Sequence, residues 1–290
     1  MSKAPKANMD SSGSVILISG GASGIGLAVA GYFLSQGWIV VTLDRNMRET
    51  SDSGRDIHFQ GDIRSPEFLT QSLFEIARQS LNINIVFANV GTSAAGAFED
   101  IPWQKHQEIL DTNLRSTLAL THLVLPLLSV DSQPLIIYTT SVAVLHGVPQ
   151  MASYSATKAA IHAFAEALQV EQAPNGIRVT TLLLGKFDTP AKNKIRLWQA
   201  NGTVRKWGGF RLPGKAEQQA YNQEQSAEIV GPALMRYYLS GRQGMICLPP
   251  SLSFYYRTSR LIPQVMKNFY HRYFRLNKTQ QENTKTLNHE

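Results

Sequence analysis

A short apolar run, a cluster of glycines and a helical pattern follow one another near the start of this chain. Residues 15–19 are apolar and rich in β-formers, which suits a buried strand. Four of residues 20–26 are glycines, and residues 27–34 have the apolar spacing of a helix. A strand, a glycine turn and a helix in this order begin a βαβ unit, so they predict an α/β fold.

The glycine turn has the chemistry of a phosphate-binding site. Glycines allow a sharp turn and a close approach to a pyrophosphate, because no Cβ stands in the way. The N-terminus of the next helix adds unpaired N–H groups and the positive end of a dipole. A glycine-rich turn without a ligand is the alternative, but the flanking strand and helix favour binding. The candidate contacts are Gly20, Ala22, Ser23, Gly24, Ile25 and Gly26.

An acidic residue follows the second apolar run. Residues 38–43 predict a strand that ends at Asp44, where a carboxylate can accept a hydrogen bond from an adenosine ribose. A carboxylate there would repel the 2′-phosphate of NADP, so Asp44 favours NAD. Arg45 is the counterargument, because an arginine at this point can pair with that phosphate. We therefore predict a nicotinamide dinucleotide, with NAD favoured and NADP left open.

Tyr154 and Lys158 stand four residues apart, and Ser141 precedes them at the end of a strand-like run. On a helix, positions i and i+4 share a face, so the Lys158 ammonium can lie beside the Tyr154 phenol. A free phenol titrates near ~10, and a neighbouring positive charge lowers that pKa. We expect Tyr154 to be a general acid or base and Ser141 to hold the substrate oxygen. In isolation, such a pair could also be incidental on a solvated helix.

Taken together, these motifs resemble those of the classical short-chain dehydrogenase/reductases over about residues 14–250. Ser19 to Gly26 is similar to the family's Thr-Gly-x-x-x-Gly-x-Gly, with serine in place of the threonine. The resemblance implies a catalytic tetrad in which an asparagine helps to hold a proton-relay water, namely Asn113, Ser141, Tyr154 and Lys158. It also implies cofactor contacts with the adenine ring, the ribose and the nicotinamide from Asp62, Ile63, Asn89, Gly91, Tyr154, Lys158 and Thr189.

Two positions depart from the family pattern. Family members commonly have Pro-Gly after the sixth strand, where this chain has Leu184 and Gly185. The missing proline removes a restriction on φ in the loop that places the nicotinamide. Ala88 stands where the family has an asparagine, which removes a side-chain amide that supports the sheet. Neither departure touches the tetrad.

The rest of the pattern predicts a single doubly wound parallel sheet, Rossmann-like, with helices on both faces. Further strands are expected at 57–60, 83–89, 135–140, 178–184 and 244–248, and helices at about 65–80, 103–129, 154–173 and 226–240. The predicted organisation is a flexible N-terminus at 1–13, a Rossmann-type domain at 14–250 with a substrate lid at 186–225, and a C-terminal extension at 251–290.

Composition excludes several other classes of protein. Cys247 is the only cysteine, so an internal disulfide and a thiol-rich zinc site are ruled out. The histidines lack metal-ligand spacing, and we predict no metal. His146 lies between Ser141 and Tyr154, near the expected substrate mouth, although a surface role is the simpler interpretation. No signal-peptide pattern or membrane-spanning apolar run is present, so we expect a cytoplasmic protein.

The positive charge is concentrated near the C-terminus. The net charge is +7, and residues 245–281 contain no acidic residue. Their cations alternate with apolar pairs at helical spacing, so 254–278 predicts a basic amphipathic helix. Such a helix can lie in a membrane interface, or pack on the domain or on a partner subunit, and these alternatives stay open. Nucleic-acid binding ranks below them, because no recognised motif accompanies the charge. The cations are Arg257, Arg260, Lys267, Arg272, Arg275 and Lys278.

The predicted lid indicates the class of substrate. It carries Trp198, Trp207 and Phe210 among several lysines and arginines. Aromatic side chains in such a loop suit a bulky apolar substrate, whereas a solvated loop with a few core anchors is the alternative. Together with the extension, this layout is similar to that of family members that act on long-chain or steroid-like substrates.

We therefore predict an oxidoreductase that transfers a hydride between a nicotinamide cofactor and a lipophilic secondary alcohol or ketone. One alternative is an NADP-dependent lipid ketone reductase. Another is a non-catalytic scaffold that binds nucleotide or docks on a membrane. The resemblance also implies a homodimer or homotetramer.

Overall fold

Seven parallel strands form the central sheet in this computed structural model, which describes residues 13–145, 147–190, 195–206 and 224–261. In chain order the described strands are β1 (Val15–Ser19), β2 (Ile39–Asp44), β3 (Asp56–Gln60), β4 (Ile83–Ala88), β5 (Leu135–Ser141), β6 (Arg178–Leu184), β7 (Phe187–Asp188), β8 (Arg196–Trp198), β9 (Val204–Lys206), β10 (Gln225–Ser226) and β11 (Gly244–Leu248). The order across the sheet is β11-β6-β5-β4-β1-β2-β3, while β7 pairs with β10 and β8 with β9.

Helices cover both faces of the sheet, as the doubly wound prediction requires. They are α1 (Gly24–Ser35), α2 (Pro66–Arg78), α3 (Trp103–Leu110), α4 (Ser116–Val124), α5 (Ala152–Gln172), α6 (Val230–Leu239) and α7 (Leu252–Leu261). On one face, α1 and α6 bury Phe33 and Leu234 against the sheet. On the other, α2, α4 and α5 bury Leu73, Leu120 and Ile161. The predicted fold class is confirmed.

Local sequence explains why the elements begin where they do. Every residue of β1, β4 and β6 is buried, which fits their mostly apolar or β-branched character in a sheet covered on both faces. The Ser65 hydroxyl accepts the Phe68 N–H at 3.2 Å and caps α2. Pro66 occupies the first turn of that helix, where its missing N–H is not needed.

The stretch predicted as helical at about residues 103–129 is helical over 103–127, but it is not one regular α-helix. A π-helical segment, Asp111–Arg115, separates α3 from α4 and adds a widened turn at Asn113. Segments of this kind are often found at functional sites. The helix then gives way at Val124 to a 3₁₀ turn that contains Pro126, because proline cannot donate the N–H that a further α-helical turn needs.

The start of the predicted C-terminal extension packs on the domain. α7 follows β11, and its Tyr256 hydroxyl lies 3.0 Å from Nε2 of His162 on α5. The two rings also meet edge to face, with their centroids 5.6 Å apart. Most of the predicted amphipathic helix lies outside the described residues, so its contact with a membrane or partner stays a prediction. Within the part of the chain that the structure describes, no helix is long and apolar enough to cross a membrane.

Candidate functional site

The predicted site residues meet at the carboxyl ends of the parallel strands. The strand order reverses between β1 and β4, since the chain runs from β1 outward to β3 and then returns to β4 on the other side. In open α/β sheets, ligands bind in the crevice outside such a switch point. The loops that follow β1, β2, β4 and β5 all lie at this edge, and each carries a predicted site residue.

The glycine turn joins β1 to α1 and has no space for larger side chains. Gly20 and Gly24 have φ values of +76° and +54°, which favour glycine. A Cβ on Gly26 would lie 1.9 Å from the Gly20 carbonyl oxygen, so the turn and the helix are in direct contact. Ser23 precedes α1 but its side chain does not cap the helix. The turn and the helix N-terminus therefore form a cradle that fits an anionic group.

Asp44 connects the end of β2 to the glycine turn. Its carboxylate accepts the Ala22 N–H at 3.0 Å and the Asn46 N–H at 2.9 Å, and the side chain is buried. Arg45 beside it is exposed. Arg48, which the sequence did not single out, is engaged in a buried ion pair with Asp56. Arg48 is therefore occupied by its ion pair with Asp56, whereas Arg45 lies at the surface next to Asp44.

Asp62 and Ile63 follow β3 at the same edge of the sheet. Asp62 forms an ion pair with Arg64, with 2.5 Å between carboxylate oxygen and guanidinium nitrogen. Hydrogen bonding to Arg64 holds the pKa of Asp62 below its ordinary value. Ile63 is buried in the core beneath this loop. The expected contact of these two residues with an adenine ring stays a prediction.

Asn89 ties together the ends of three strands. Its N–H donates to the Ser19 hydroxyl at 3.0 Å, and its side-chain amide donates to the Gly20 carbonyl at 3.4 Å. Its side-chain oxygen accepts from the Thr139 hydroxyl at 3.2 Å. A single asparagine therefore braces β1, β4 and β5 beside the glycine turn, even though Ala88 replaces the neighbouring amide.

Asn113, in the π-helical segment, is fully buried. Its side-chain oxygen accepts the Thr92 N–H at 2.7 Å, and its amide donates to the Thr92 carbonyl at 2.9 Å and to the Thr157 hydroxyl at 3.1 Å. Both amide hydrogens are thus used, so Asn113 can bind the predicted relay water only through oxygen. A Cβ on Gly91 would lie 3.6 Å from Nζ of Lys158, which shows how closely this loop approaches the lysine.

Tyr154, Lys158 and Ser141 are brought together, as predicted. The Ser141 hydroxyl, at the end of β5, is hydrogen-bonded to Tyr154 and accepts the Ala143 N–H at 3.3 Å. On α5, Nζ of Lys158 lies 5.8 Å from the centroid of the Tyr154 ring and donates to the Thr139 carbonyl at 2.9 Å. The arrangement places a phenol, an alcohol and an amine around one point at the edge of the sheet.

The expected lowering of the Tyr154 pKa by Lys158 stays a prediction. Burial raises the pKa of the Tyr154 phenol, and the hydrogen bond with Ser141 offsets only part of that rise. Nζ of Lys158 lies over the tyrosine ring and donates to the Thr139 carbonyl. Loss of water from the phenol is therefore the largest influence on its pKa.

Burial also lowers the pKa of Lys158 from 10.5 to about 8. The side chain is 3% exposed, and removing an ammonium from water penalises its charged form. The pKa of Lys158 therefore lies much closer to pH 7 than the pKa of an exposed lysine. Burial therefore disfavours the charged forms of both Tyr154 and Lys158.

Replacing Lys158 with Met is expected to stabilise the protein at pH 7. The fall of the pKa from 10.5 to about 8 corresponds to about 3 kcal/mol against the folded state while the lysine is protonated. The unfolded chain binds the additional proton between these two values, so wild-type stability rises with pH across that window. After loss of the bond to Thr139, we expect a net gain of about 2 kcal/mol at pH 7 that disappears near pH 10.5.

Urea unfolding of both proteins at pH 7 and near pH 10.5 measures this difference. Lys105→Met is the matched control, because Lys105 is a partly exposed lysine in an ion pair with Glu108 on the surface of α3. The control should change stability by less than about 0.5 kcal/mol at either pH. A destabilised Lys158→Met at pH 7 would contradict the buried-charge interpretation.

Two segments of the predicted lid lie against this edge. A Cβ on Gly24 would meet Thr189 at 3.4 Å, so the loop after β7 covers the glycine turn. The strands β8 and β9 form an antiparallel hairpin that contains Trp198. The other aromatic residues singled out in the predicted lid, and several of its cations, lie outside the described residues, namely Lys192, Lys194, Trp207, Phe210, Arg211 and Lys215. His146 also lies outside them.

Several supporting residues were not predicted from the sequence. Thr139 and Thr157 hold Lys158 and Asn113 through the hydrogen bonds described above. His106 on α3 is buried and lies 2.7 Å from the hydroxyl of Ser153, the residue before Tyr154. No sequence signal identifies these contacts, because they depend on which faces of α3 and α5 meet.

Comparison with protein families identifies a family for this chain. A family model described as short chain dehydrogenase matches residues 14–200, which is more than half of the chain. The matched region contains the glycine turn, Asp44, Asn113, Ser141, Tyr154 and Lys158.

Curated relatives include oxidoreductases. An uncharacterized oxidoreductase of Staphylococcus epidermidis is 29% identical over 181 residues, which span 61% of this chain and 79% of the relative. A protein of Streptomyces virginiae, whose name proposes a ketoacyl reductase of the monensin polyketide synthase, is 29% identical over 192 residues, or 63% of this chain and 74% of that protein.

Solved structures share the fold. The aldohexose dehydrogenase of Thermoplasma acidophilum superposes with a TM-score of 0.66 at 18% identity, covering 82% of this chain and 93% of that one. A short chain dehydrogenase family protein of Francisella tularensis gives a TM-score of 0.65 at 21% identity, covering 80% and 96%. At these identities the likeness shows the architecture alone.

Proposed function

The chain belongs to the short chain dehydrogenase family, and from that premise we propose that it transfers a hydride between NAD and a secondary alcohol or ketone with a lipophilic chain. The family membership makes it an oxidoreductase acting on CH–OH and C=O groups, with NAD(P) as the general cofactor of the family. The choice of NAD and the lipophilic substrate are our proposals.

The observation that carries this proposal is the grouping of Tyr154, Ser141 and Lys158 at the switch point of the sheet. A phenol hydrogen-bonded to an alcohol can pass a proton to or from a substrate oxygen held by both groups. The buried lysine behind them has a pKa of about 8, so it can change its charge near neutral pH. These three groups suit proton transfer at an alcohol.

The residues of the cradle fit a dinucleotide. The glycine turn and the uncapped start of α1 would hold the pyrophosphate, and Asp44 would accept from the adenosine ribose. Lys158 would reach the second ribose, and Thr189, which covers the turn, would contact the carboxamide. When bound, the nicotinamide ring supplies the hydride acceptor or donor. The buried Asp44 carboxylate opposes a 2′-phosphate, and this favours NAD.

In the oxidative direction, the Tyr154 oxygen accepts the proton of the substrate hydroxyl. The Ser141 hydroxyl donates to the same substrate oxygen and holds it in place. Lys158 stabilises the phenolate when it is charged, and Asn113 fixes the Thr92 loop that closes the back of the site. In reduction the same groups act in reverse, with Tyr154 as the acid.

An apolar cluster beside Tyr154 is the observation that supports the proposal of a lipophilic substrate. Ala94, Ile101 and Ile109 form a buried cluster, and Tyr154 and Trp198 pack against it. Apolar lining with few polar groups is typical of sites for apolar ligands. A substrate chain that reaches this cluster would gain a favourable contact for each additional methylene.

A second candidate is an NADP-dependent ketone reductase. The exposed Arg45 next to Asp44 could pair with a 2′-phosphate. The name of the Streptomyces virginiae relative also refers to ketoacyl reduction. This candidate differs from the first in its cofactor and favoured direction, while the catalytic groups are the same.

The test is the absorbance of reduced cofactor with NAD and, separately, NADP, against secondary alcohols and methyl ketones of increasing chain length. We expect kcat/KM to rise by about fourfold for each methylene that reaches the apolar cluster. We also expect NAD to be used at least about tenfold more efficiently than NADP.

The outcomes separate the candidates. Preference for NADP with ketone reduction would replace the first candidate with the second. Turnover that does not depend on chain length would remove the lipophilic substrate. Tight binding of cofactor without any turnover would support a non-catalytic scaffold.

A further inference from the structure

The hairpin formed by β8 and β9 is attached to the segment that follows β4. The Ala95 N–H donates to the Arg196 carbonyl at 3.0 Å, and the Trp198 N–H donates to the Ala95 carbonyl at 2.9 Å. These bonds give β8 a parallel bridge at Ala95 and Leu197. Because the bonds use main-chain atoms, the position of the hairpin does not depend on the side chains at its surface.

The hairpin lies close to the reactive tyrosine. A Cβ on Gly96 would lie 2.9 Å from the Trp198 carbonyl oxygen and 3.2 Å from its Cβ, so the two strands are in contact there. The Gly96 N–H donates to the Gln150 carbonyl at 2.9 Å, in the loop that leads to α5. Trp198 and Tyr154 then pack against the same apolar cluster.

The indole of Trp198 has an unused donor. Its Nε1 is inaccessible to solvent and has no hydrogen-bond partner among the described residues. Buried polar groups in folded proteins almost always have a partner, and a buried donor without one is destabilising. The neighbouring cluster consists of Ala94, Ile101 and Ile109, whose side chains cannot accept a hydrogen bond.

We propose that the Trp198 indole N–H binds a hydrogen-bond acceptor on the substrate, separate from the oxygen that reacts at Tyr154. This inference rests on the proposed function, and it narrows the substrate class to alcohols or ketones that carry a second oxygen acceptor, such as an ester or ketone carbonyl, on an apolar chain. The apolar cluster binds the chain, Tyr154 and Ser141 bind the reacting oxygen, and Trp198 binds the second oxygen.

The chemistry favours a neutral carbonyl as this acceptor. The cluster around the indole offers apolar contacts, so it suits an uncharged group better than a carboxylate, whose desolvation is expensive. An indole is a donor only, and therefore it pairs with an oxygen that can accept a hydrogen bond. The hairpin must lift from the cluster to admit the ligand, and its attachment at Ala95 is a short main-chain ladder that can act as the hinge.

A matched pair of ketones tests the assignment. Ethyl butyrylacetate carries an ester carbonyl two bonds from its ketone carbon, and propyl pentyl ketone has the same chain length without the ester. For Trp198→Phe, which keeps an aromatic ring but removes the donor, we expect kcat/KM to fall about tenfold for the ketoester and less than about twofold for the plain ketone. Trp103→Phe, at an exposed position on α3, should leave both values unchanged.

A second measurement does not require turnover. Protein labelled with ¹⁵N-tryptophan, held with oxidised cofactor so that no ketone is reduced, is titrated with each compound. The indole resonance that is missing in Trp198→Phe should move downfield with ethyl butyrylacetate and stay in place with propyl pentyl ketone, because a new hydrogen bond deshields the indole proton.

Each result has one interpretation. Equal losses for both ketones in Trp198→Phe, or an indole resonance that ignores the ketoester, would overturn the proposal. A shifted resonance without turnover by either cofactor would keep the indole site and reject the proposed reaction. Turnover of both ketones without any difference between wild type and Trp198→Phe would keep the reaction and reject the indole site.

Discussion

Tyr154→Phe is expected to lower kcat by about 10³-fold, with the affinity for the cofactor changed less than about twofold. The substitution removes the one hydroxyl that is bonded to Ser141 and can exchange a proton with the substrate. The ring remains, so its packing against the apolar cluster is kept. Stopped-flow measurement of hydride transfer and fluorescence titration of cofactor would separate the two effects.

Tyr138→Phe is the matched control for this experiment. Tyr138 is a fully buried tyrosine in β5, and its hydroxyl lies 2.8 Å from the Thr121 hydroxyl on α4. We expect the control to lose about 1 kcal/mol of stability and to keep its kcat. If both variants lose activity equally, or if Tyr154→Phe no longer binds cofactor, the role of Tyr154 is structural.

Gly26→Ala is expected to lower the free energy of unfolding by about 3 kcal/mol and to weaken cofactor binding by more than about tenfold. The new Cβ would lie 1.9 Å from the Gly20 carbonyl oxygen, a distance that no contact between such atoms tolerates. Main chain lies on both sides of this contact, so relief requires the glycine turn to move away from α1. That movement opens the cradle that we assign to the pyrophosphate.

Gly31→Ala, on the same helix, is the matched control. It makes the same substitution without a steric clash. A Cβ at Gly31 meets no atom within 4 Å, so this variant should be stabilised by about 0.5–1 kcal/mol through helix propensity alone. Urea unfolding and isothermal titration with NAD measure both variants. A Gly26→Ala protein as stable as Gly31→Ala would show that the turn is not in tight contact with the helix.

The central sheet and the grouping of the site residues could be predicted because they depend on local patterns. The strands β1, β4 and β6 are mostly apolar or β-branched, and the glycines of the turn stand between β1 and a helix. Asp44 ends β2 as expected. These features follow from chain order, since parallel strands bring their carboxyl ends to the same edge of the sheet.

The energetics of the site could not be predicted, because they depend on three-dimensional environment. The spacing of Tyr154 and Lys158 indicates a shared helix face, but not that Nζ would face the Thr139 carbonyl or that burial would raise the pKa of the phenol. The π-helical turn at Asn113 has no apolar period of its own. The pairing of β8 with Ala95 joins residues about a hundred positions apart.

The docking of α7 connects the C-terminal part of the described chain to α5, the helix that carries Tyr154 and Lys158. His162, which meets Tyr256, lies one helical turn beyond Lys158 on α5, a distance of about 6 Å along the helix axis. Truncation of the chain after β11 would therefore remove Tyr256, which packs on α5, the helix that carries Lys158. A partner bound to α7 would therefore contact a segment that packs on the same helix as Tyr154.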